Sequence, residues 1–418
     1  MKSWRFLGPL FVMAICIGLF SFAMFQGGFI SWFLFFSFLP LVIYQMGLAF
    51  YPLRKLDVSR TVSQSICHAG QSITLDIMIK RKTPFPLFYC IVEEVLPDSL
   101  QRIDTGINKY AHINHPVSYE VKRHKKQVLF PFFRRKIKTS YMISQLPRGE
   151  HQLDQIRIRT GDIFGFIKKE HLFNVNDTLI VFPNKRRIRF KYTLHSLEQG
   201  EAIVQSNDFR QTNMVAGVRE YLPGDKFSWI DWKQSAKKQD IMTKEFEQEK
   251  SMEAFFILDA SSSSQWIAFE GLIEVMYGMM DVIHKTSDSK VGLLSIGKET
   301  SYFPFHFDVG SREKVMKHLA TIKPSDEDAF TDRLQRQTTV LSTHSLIFVF
   351  SCSIDIRFIE SMKKLHSKHK KRLHIFLLLS KNQSIELQDT INMLVEHQIG
   401  LTVLTEVQLM KDPLEVRV

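Results

Sequence analysis

The strongest constraint on this chain is a run of 48 consecutive residues, 6–53, without Asp, Glu, Lys, Arg or His. About 20 apolar residues cross a bilayer as a helix, so the run is long enough for two spans and a turn. The turn is predicted at Gln26-Gly27-Gly28, between helices over Trp4–Phe25 and Phe29–Tyr51. A cleaved signal peptide and a buried soluble helix pair fit less well, because the first segment is long, lacks a clear cleavage site and has no polar face.

The charges beside this run predict its orientation. Lys2 and Arg5 precede the first predicted span, Arg54, Lys55 and Arg60 follow the second, and the turn carries no charge. Cytoplasmic flanks are rich in Lys and Arg, so both ends of the hairpin are expected in the cytoplasm. The four cysteines show no C-x-x-C spacing, which excludes a disulfide scaffold and a Cys-based zinc ribbon. The expected location is therefore the cell membrane, with two spans, contact with membrane lipid, and most of the chain cytoplasmic.

After the anchor, which we assign to residues 1–54, the hydrophobic pattern changes twice. Residues 55–185 contain short runs such as Ser72–Lys80, in which apolar and polar side chains alternate as in a half-buried strand. Proline and glycine separate these runs and no long amphipathic helix interrupts them, which predicts a small β-sandwich-like domain. Residues 186–250 have a weaker pattern and are predicted to be a connecting region.

Residues 251–418 alternate strand-like apolar runs with helix-like stretches. The strands are rich in Ile, Leu, Val and Phe on both faces, which indicates that helices cover both sides of the sheet. The prediction is a doubly wound, Rossmann-like α/β domain. It begins with a strand over Glu253–Leu258 and a helix over Gln265–His284, includes a helix over Ile385–His397, and ends with Leu401–Leu404 as the last strand.

Polar side chains directly follow the first strand of this domain, in the run Asp259-Ala260-Ser261-Ser262-Ser263. Ligands of open α/β sheets bind at the carboxyl ends of strands. Asp259, Ser261 and Ser263 offer a carboxylate and two hydroxyls at alternate positions, the oxygen ligands that Mg²⁺ or another divalent cation prefers. The alternative is that a serine near position 263 caps the following helix and Asp259 merely ends the strand.

A dense block of polar and aromatic residues lies upstream, over 217–236. Pro223-Gly224 suits the central positions of a type II turn. In a structural interpretation, Asp231 caps a helix, with Gln234 three residues later, and Trp229 and Trp232 are expected to bury against the sheet. A structural role therefore competes with a partner-binding role for the whole block. The residues at issue are Arg219, Tyr221, Pro223, Gly224, Asp225, Asp231 and Trp232.

Several motifs spread over nearly the whole chain resemble those of one family. They are REYLPGD at 219–225, IDW at 230–232, LPRGE at 146–150, GDIFGF at 161–166 and the two apolar N-terminal segments. This combination resembles the domain-of-unknown-function 58 family. The order strand, D-x-S-x-S, helix also resembles the opening of a von Willebrand factor A-like domain, whose metal-ion-dependent adhesion site uses the positions of Asp259, Ser261 and Ser263.

The resemblance implies an interaction role and no catalytic reaction. Family members are bacterial, membrane-anchored and commonly encoded beside MoxR-type AAA+ ATPases, so a MoxR-type ATPase is the expected partner. The match to the adhesion site is incomplete, because Ser351 stands where an aspartate is expected and the second loop, Lys323–Thr331, lacks a Gly-Gly-Thr run. Fewer carboxylates lower the affinity for a hard cation, so a degenerate pocket used for protein contact is the alternative.

Two other functions remain open. The net charge is +12, and residues 101–200 hold 20 Lys and Arg against 8 Asp and Glu, so the β domain could bind anionic lipid or nucleic acid. A solvated face near the inner leaflet is the simpler interpretation, and no nucleic acid is expected. A hydrolase centred on Asp259 is the enzymatic alternative, but the sequence offers no P-loop motif and no nucleophile with an identifiable base. The chain is thus expected to be a non-enzymatic interaction or assembly module serving the cell envelope or complex assembly.

Overall fold

The protein is described here by a computed structural model and is a mixed α/β chain. The structure divides it into two compact units, one of Met1–Gly106 and Val117–Asn184, the other of Ile107–Pro116 and Lys185–Val418. The described residues are 4–113, 119–194, 202–204, 215–222, 227–246, 253–261, 266–285, 290–306, 309–325, 330–338, 341, 345–369 and 372–417.

Two apolar helices open the first unit, α1 (Trp4–Gln26) and α2 (Phe29–Phe50). Both bounds agree with the predicted helices to within one residue. Gly27 and Gly28 join them with φ values of 49° and 139°, a backbone conformation that favours glycine. Within the described residues, α2 is long and apolar enough to cross a membrane, and the apolar part described for α1, Leu10–Gln26, is shorter.

Among its described residues, the first unit has eight strands in two sheets. They are β1 (Asp57–Val62), β2 (Ile66–His68), β3 (Ile73–Lys80), β4 (Tyr89–Val95), β5 (Lys125–Leu129), β6 (Lys136–Ile143), β7 (Gly149–Gly161) and β8 (Lys168–Phe182). One sheet has the order β1-β3-β6 and the other β2-β8-β7-β4-β5. The side chains of Ile77 and Ile79 from the first sheet share a core with Val92, Ile156 and Ile158 from the second, so the sheets pack face to face.

The alternating pattern of Ser72–Lys80 is confirmed in β3, where every second side chain is buried. The carboxyl end of α2 belongs to the same core. Leu48 and Tyr51 are buried among the strand side chains, together with Leu53 and Leu56 of the segment that leads into β1. The last turn of the apolar helix is therefore folded into the β-sandwich.

The second unit contains eleven strands and eight helices among its described residues. The strands are β9 (Ile188–Leu194), β10 (Ala202–Val204), β11 (Val215–Glu220), β12 (Met242–Phe246), β13 (Glu253–Asp259), β14 (Lys290–Ile296), β15 (Thr300–His306), β16 (Leu346–Ser351), β17 (Leu373–Leu378), β18 (Gly400–Leu404) and β19 (Leu414–Arg417). The helices are α3 (Trp232–Lys238), α4 (Trp266–His284), α5 (Val309–Thr321), α6 (Phe330–Gln337), α7 (Ile356–His369), α8 (Lys381–Glu386), α9 (Gln388–Glu396) and α10 (Glu406–Leu409).

Its main sheet has six strands in the order β15-β14-β13-β16-β17-β18. All neighbours are parallel except the edge strand β15, which is antiparallel to β14. Phe255 and Phe256, which point to opposite faces of β13, are both fully buried, as expected where helices cover both sides. The parallel strands run in the order second, first, third, fourth, fifth along the chain, which places a topological switch point between β13 and β16.

Three sequence-based expectations for this unit differ from the structure. The helix over Ile385–His397 is divided into α8 and α9. The segment 186–250 is more than a connecting region, because it carries strands β9 to β12. β9 alternates apolar and polar side chains as β3 does, whereas β10 to β12 have only three to six residues each, too few for a clear period. Leu401–Leu404 is not the last strand, because β19 follows it and pairs in parallel with β9. β19 has only four residues, too few to show a clear hydrophobic period in the sequence.

Candidate functional site

Two side chains meet at the switch point of the six-stranded sheet. Asp259 is the last residue of β13 and Ser351 is the last residue of β16. The two strands are parallel neighbours, with Leu258 opposite Phe350. Their carboxyl ends therefore bring both side chains to one edge, where open α/β sheets bind their ligands.

The Asp259 carboxylate is the centre of a hydrogen-bonded cluster. Ser261 donates to Oδ1 from its main-chain N at 3.0 Å and from its Oγ at 2.7 Å. The Ser351 hydroxyl lies 2.6 Å from Oδ2, and Ser353 donates its main-chain N–H to Ser351 Oγ at 3.1 Å. Asp259, Ser261 and Ser351 are each no more than 3% exposed. The cluster satisfies a buried carboxylate with hydroxyl and amide donors.

The first residues of the second loop, 323–325, lie at the same edge. Ser325, in the segment Lys323–Thr331, donates from its main-chain N at 2.8 Å and its Oγ at 3.1 Å to the carbonyl oxygen of Ala260. Of the predicted site residues, the structure brings Asp259 and Ser261 together. Ser263 lies outside the described residues.

The donors at this edge fit a divalent cation poorly. Among the described residues no group of three or more His, Cys, Asp and Glu is arranged to hold a metal ion. The described donors comprise one carboxylate and neutral hydroxyls, and a hard cation favours several charged oxygens. Ser351 also supplies a hydroxyl where an aspartate would supply a second negative charge. The Mg²⁺ site at Asp259, Ser261 and Ser263 therefore stays a prediction.

A serine and a histidine lie together near the same edge of the sheet. Ser295 Oγ on β14 lies 2.6 Å from His318 Nε2 on α5. That distance suits a nucleophile and its base. Ser295, however, is only 1% exposed, and the ring of Phe303 lies 5.0 Å from the His318 ring. The pair is therefore closed to a substrate in this structure and acts as a structural hydrogen bond.

The signature block folds as a hairpin, which we call the signature hairpin (residues 215–222 and 227–246). β11 and β12 pair antiparallel, with Arg219 opposite Thr243. The Arg219 guanidinium donates to the carbonyl oxygen of Glu220 at 3.0 Å, and the Tyr221 N–H donates to the carbonyl oxygen of Ile241 at 2.8 Å. Pro223, Gly224 and Asp225 lie outside the described residues.

Asp231 caps the short helix α3 inside this hairpin. Its Oδ1 accepts hydrogen bonds from the main-chain N–H groups of Lys233 and Gln234, each at 3.1 Å. These bonds confirm the predicted cap. They satisfy two amides of the first turn that have no partner within the helix. Ser235 fixes the helix to β12, because its Oγ accepts the Met242 N–H at 2.8 Å.

Large apolar side chains cover the outside of the signature hairpin. The expectation that Trp232 buries against a sheet is wrong, because this side chain is 68% exposed. It begins α3, a helix with no buried residue. The exposed apolar residues of the hairpin are Leu222, Phe227, Trp229, Trp232 and Ile241. Scattered exposed apolar residues are ordinary, but a group of five on one hairpin is typical of an interaction surface.

A second polar cluster, inside the second unit, was not found from sequence. Lys109 Nζ lies 2.5 Å from Glu274 Oε1 on α4, and the Tyr110 hydroxyl donates to Glu274 Oε2 at 2.5 Å. All three side chains are almost completely buried, and burial together with the Glu274 charge raises the pKa of Tyr110 well above its ordinary value. Glu270 and Glu274, four residues apart in an otherwise apolar helix, were the signal for a buried partner.

The chain is similar to several known proteins. Residues 217–388 match the model of a family described as "Protein of unknown function DUF58". The uncharacterized protein YeaD of Bacillus subtilis (strain 168) is 36% identical over 325 residues, which are 76% of each chain. The CARDB domain of a Pyrococcus furiosus protein is 9% identical over 29% of this chain and 91% of that domain, with a TM-score of 0.17. The Yersinia pseudotuberculosis adhesin InvE is 13% identical over 61% of this chain and 66% of its own, also with a TM-score of 0.17. Scores this low carry no argument about fold.

Proposed function

This chain belongs to the DUF58 family of proteins of unknown function, and from that premise we propose that it is a membrane-anchored, non-enzymatic interaction module. Its signature hairpin docks a protein partner, and the partner we propose is a MoxR-type AAA+ ATPase. The function served is assembly of complexes or of the cell envelope. The observation that supports this proposal is the group of exposed apolar side chains on the hairpin.

The hairpin has the properties of a docking surface. Trp and Tyr supply much of the binding energy of protein interfaces, and Tyr221, Trp229 and Trp232 all lie on it. The Asp231 cap and the β11–β12 ladder hold its main chain in place before a partner arrives. A surface that is ordered in advance loses less conformational entropy on binding.

The anchor in this proposal is the pair α1 and α2, with both helices spanning the membrane. Arg54 and Lys55 follow α2 directly, and the turn at Gly27 and Gly28 carries no charge. This asymmetry favours an orientation with the folded units in the cytoplasm. A cytoplasmic hairpin is accessible to a cytoplasmic ATPase.

The cluster at the switch point has a supporting role in this proposal. Hydrogen bonds from Ser261 and Ser351 fix the Asp259 carboxylate, so they fix the carboxyl ends of two neighbouring strands. The described residues pair no accessible nucleophile with a base there, which favours binding over turnover.

Co-purification tests the docking surface. The full-length chain is recovered from gently solubilised membranes of its own host, with and without Trp232→Ala, and the AAA+ ATPase that accompanies it is quantified. Loss of a hot-spot tryptophan costs at least about 2 kcal/mol, so recovery should fall by at least about tenfold. Alanine is a good helix former, so α3 is expected to persist in the variant.

The matched control is Ile385→Ala on α8. Ile385 is 66% exposed, nearly the same as Trp232, and lies outside the hairpin. It should recover the ATPase as the unaltered chain does. The proposal fails if no AAA+ ATPase is recovered with the unaltered chain, or if Trp232→Ala and Ile385→Ala recover equal amounts.

A further inference from the structure

We infer that one end of the β-sandwich is itself inserted into the surface of the lipid bilayer, through aromatic loop tips surrounded by Lys and Arg. We call this the membrane-facing end, formed by the loops 81–88, 130–135 and 162–167. Its ligand is an anionic phospholipid surface. The inference deepens the proposed anchoring and rests on the proposal that α1 and α2 span the membrane.

Strand pairing places the three loops at one end of the sandwich. Lys80, the last residue of β3, is opposite Asp57, the first of β1, and Lys136, the first of β6. Gly161, the last residue of β7, is opposite both Tyr89 and Lys168, the first residues of β4 and β8. The chain enters β1 from α2 through the short segment 51–56, so α2 reaches the sandwich at this same end.

Aromatic contacts join the helices to these loops. Tyr44 of α2 packs against Phe85 and Phe88, with ring centroids 5.6 and 5.1 Å apart. Phe88 contacts Phe132 at 6.0 Å. On the other helix, Phe11 of α1 contacts Phe166 at 5.6 Å. The apolar surface of the helices therefore continues onto the loops without a polar break at these contacts.

The tips of the loops expose large apolar side chains. They are Phe130, Phe132, Phe133, Ile163, Phe164 and Phe166. Phe133 is the most exposed of the six, at 65%. Six such side chains at one end of a small domain exceed what a water-facing surface ordinarily carries. Aromatic side chains are favoured at the boundary between lipid headgroups and acyl chains, which suits this position.

Cations surround the aromatic tips. The exposed basic residues of this end are Arg54, Lys55, Lys82, Arg134, Arg135, Lys136 and Lys168. Two acidic residues also lie at this end. Asp57 is exposed and its carboxylate lies 3.8 Å from Lys80 Nζ, which offsets its charge. Asp162 is buried and accepts the N–H groups of Phe164 and Ile167 at 3.2 and 2.7 Å, so its charge is used inside the loop. A ring of basic side chains around an apolar tip is the charge pattern that anionic lipid attracts.

The loops are held in this conformation by the protein itself. Arg81 is buried and donates to the carbonyl oxygens of Phe85 at 2.9 Å, Phe132 at 2.9 Å and Arg134 at 2.8 Å. One guanidinium thus ties the loop 81–88 to the loop 130–135. Since the main chain is fixed by its own bonds, the exposed side chains of Phe132 and Phe133 remain free to contact lipid.

Depth-dependent quenching in vesicles tests the inference on the full-length chain. In a Cys16→Ala background, Phe133→Cys and Phe164→Cys are each labelled with an environment-sensitive fluorophore and reconstituted into phosphatidylglycerol-rich vesicles. Cys67, Cys90 and Cys352 are buried and stay unlabelled in the folded protein. Both labels should lose most of their emission to a lipid that carries a nitroxide at the level of the headgroup.

Two further labels serve as controls. Met142→Cys reports the opposite end of the sandwich, because β6 runs from Lys136 to Ile143 and Met142 is 56% exposed. This label should keep its emission. Phe33→Cys lies on the exposed surface of α2 and should be quenched by a nitroxide deep in the acyl chains.

The outcomes separate the inference from the anchor on which it rests. Quenching at Phe33 with none at Phe133 and Phe164 overturns the inference and leaves the anchor standing. No quenching at Phe33 overturns both. Labels at Phe133 and Phe164 that are shielded from a water-soluble quencher, but not quenched by nitroxide lipid, show that a second copy of the chain covers this end, which also overturns the inference.

Discussion

A serine rather than a carboxylate ends β16, and its hydroxyl lies 2.6 Å from the Asp259 carboxylate. Two carboxylates at that separation repel each other and need a cation or a shared proton between them. Ser351 instead supplies a hydrogen-bond donor, so the Asp259 carboxylate is hydrogen-bonded by the chain's own groups. The D-x-S pattern predicted Asp259 and Ser261 at this edge, and the resemblance to an adhesion site placed Ser351 beside them from 92 residues away. Neither revealed that the Ser351 hydroxyl contacts the Asp259 carboxylate itself.

Removing the carboxylate is expected to destabilise the second unit. Asp259→Ala leaves the buried Ser261 hydroxyl without its Asp259 acceptor and leaves the Ser351 hydroxyl with the carbonyl oxygen of Ser353 at 2.8 Å. This should lower the free energy of unfolding by about 2 kcal/mol. Ser353→Ala removes only an exposed hydroxyl nearby and is the control. Thermal unfolding is measured with and without Mg²⁺, which should change neither result. A Mg²⁺-dependent rise in Tm that Asp259→Ala abolishes would contradict our interpretation of this edge.

Acid is expected to destabilise the protein through His374. This side chain is buried on β17, its Nε2 lies 2.8 Å from Thr402 Oγ1, and burial lowers its pKa to about 4. The unfolded chain takes up a proton near pH 6.5, whereas the folded chain holds the ring neutral. Stability from this group is therefore complete above pH 6.5 and falls towards pH 4, by at most about 1.4 kcal/mol per pH unit.

Urea unfolding across that pH range measures the effect. His374→Phe should flatten the dependence on pH, because no titrating ring remains at this position. His124→Gln, at an exposed position, should leave the dependence unchanged. An equal slope in the His374→Phe variant and the unaltered chain would show that other groups govern the acid response.

At the scale of elements, the sequence predicts single helices and strands better than it predicts which strands pair. The alternation in β3 and the apolar helices α1 and α2 were predicted because one face, or all faces, of each element repeat regularly. β19 was missed because four residues show no clear period. β9 does alternate apolar and polar side chains, but it lies in a segment whose pattern is otherwise weak. The pairing between them joins the two extremes of the second unit, which no local pattern encodes.

The loops of the membrane-facing end depend on Arg81. Arg81→Met removes the guanidinium that joins the loops 81–88 and 130–135, so three carbonyl oxygens lose their charged donor. We expect a loss of about 2 kcal/mol in stability and faster amide hydrogen exchange over residues 130–135. Lys82→Met, at an exposed neighbouring position, should exchange as the unaltered chain does. Equal exchange in both variants would mean that Arg81 does not hold the loops.

On the scale of the whole molecule, the apolar helix and the β-sandwich form one cooperative core. Leu48 belongs to α2, yet it is fully buried among the strand side chains. Leu48→Ala is therefore expected to destabilise the sandwich by about 3 kcal/mol, since it leaves a cavity in that core. Ile43→Ala, on the exposed surface of the same helix, should have no such effect.

Reactivity of Cys90 reports the opening of this core. Burial raises the pKa of the Cys90 thiol to about 12, so it reacts with thiol reagents only after the core opens. Labelling at increasing denaturant should begin earlier in Leu48→Ala than in Ile43→Ala. Identical labelling curves would show that the end of α2 contributes nothing to the sandwich.

The contact between Lys109 and Glu274 has a consequence for how the chain is made. Their separation of 165 residues means that translation, at about 5–20 residues per second, delivers Lys109 roughly 8–33 s before its acidic counterpart. β4, which precedes Lys109 in the chain, has by then been synthesised, and β5, which follows it, is synthesised during that interval. Lys109 and Tyr110 are therefore synthesised long before α4, the helix against which they are buried. Their contact with Glu274 can form only when the last third of the chain is being made.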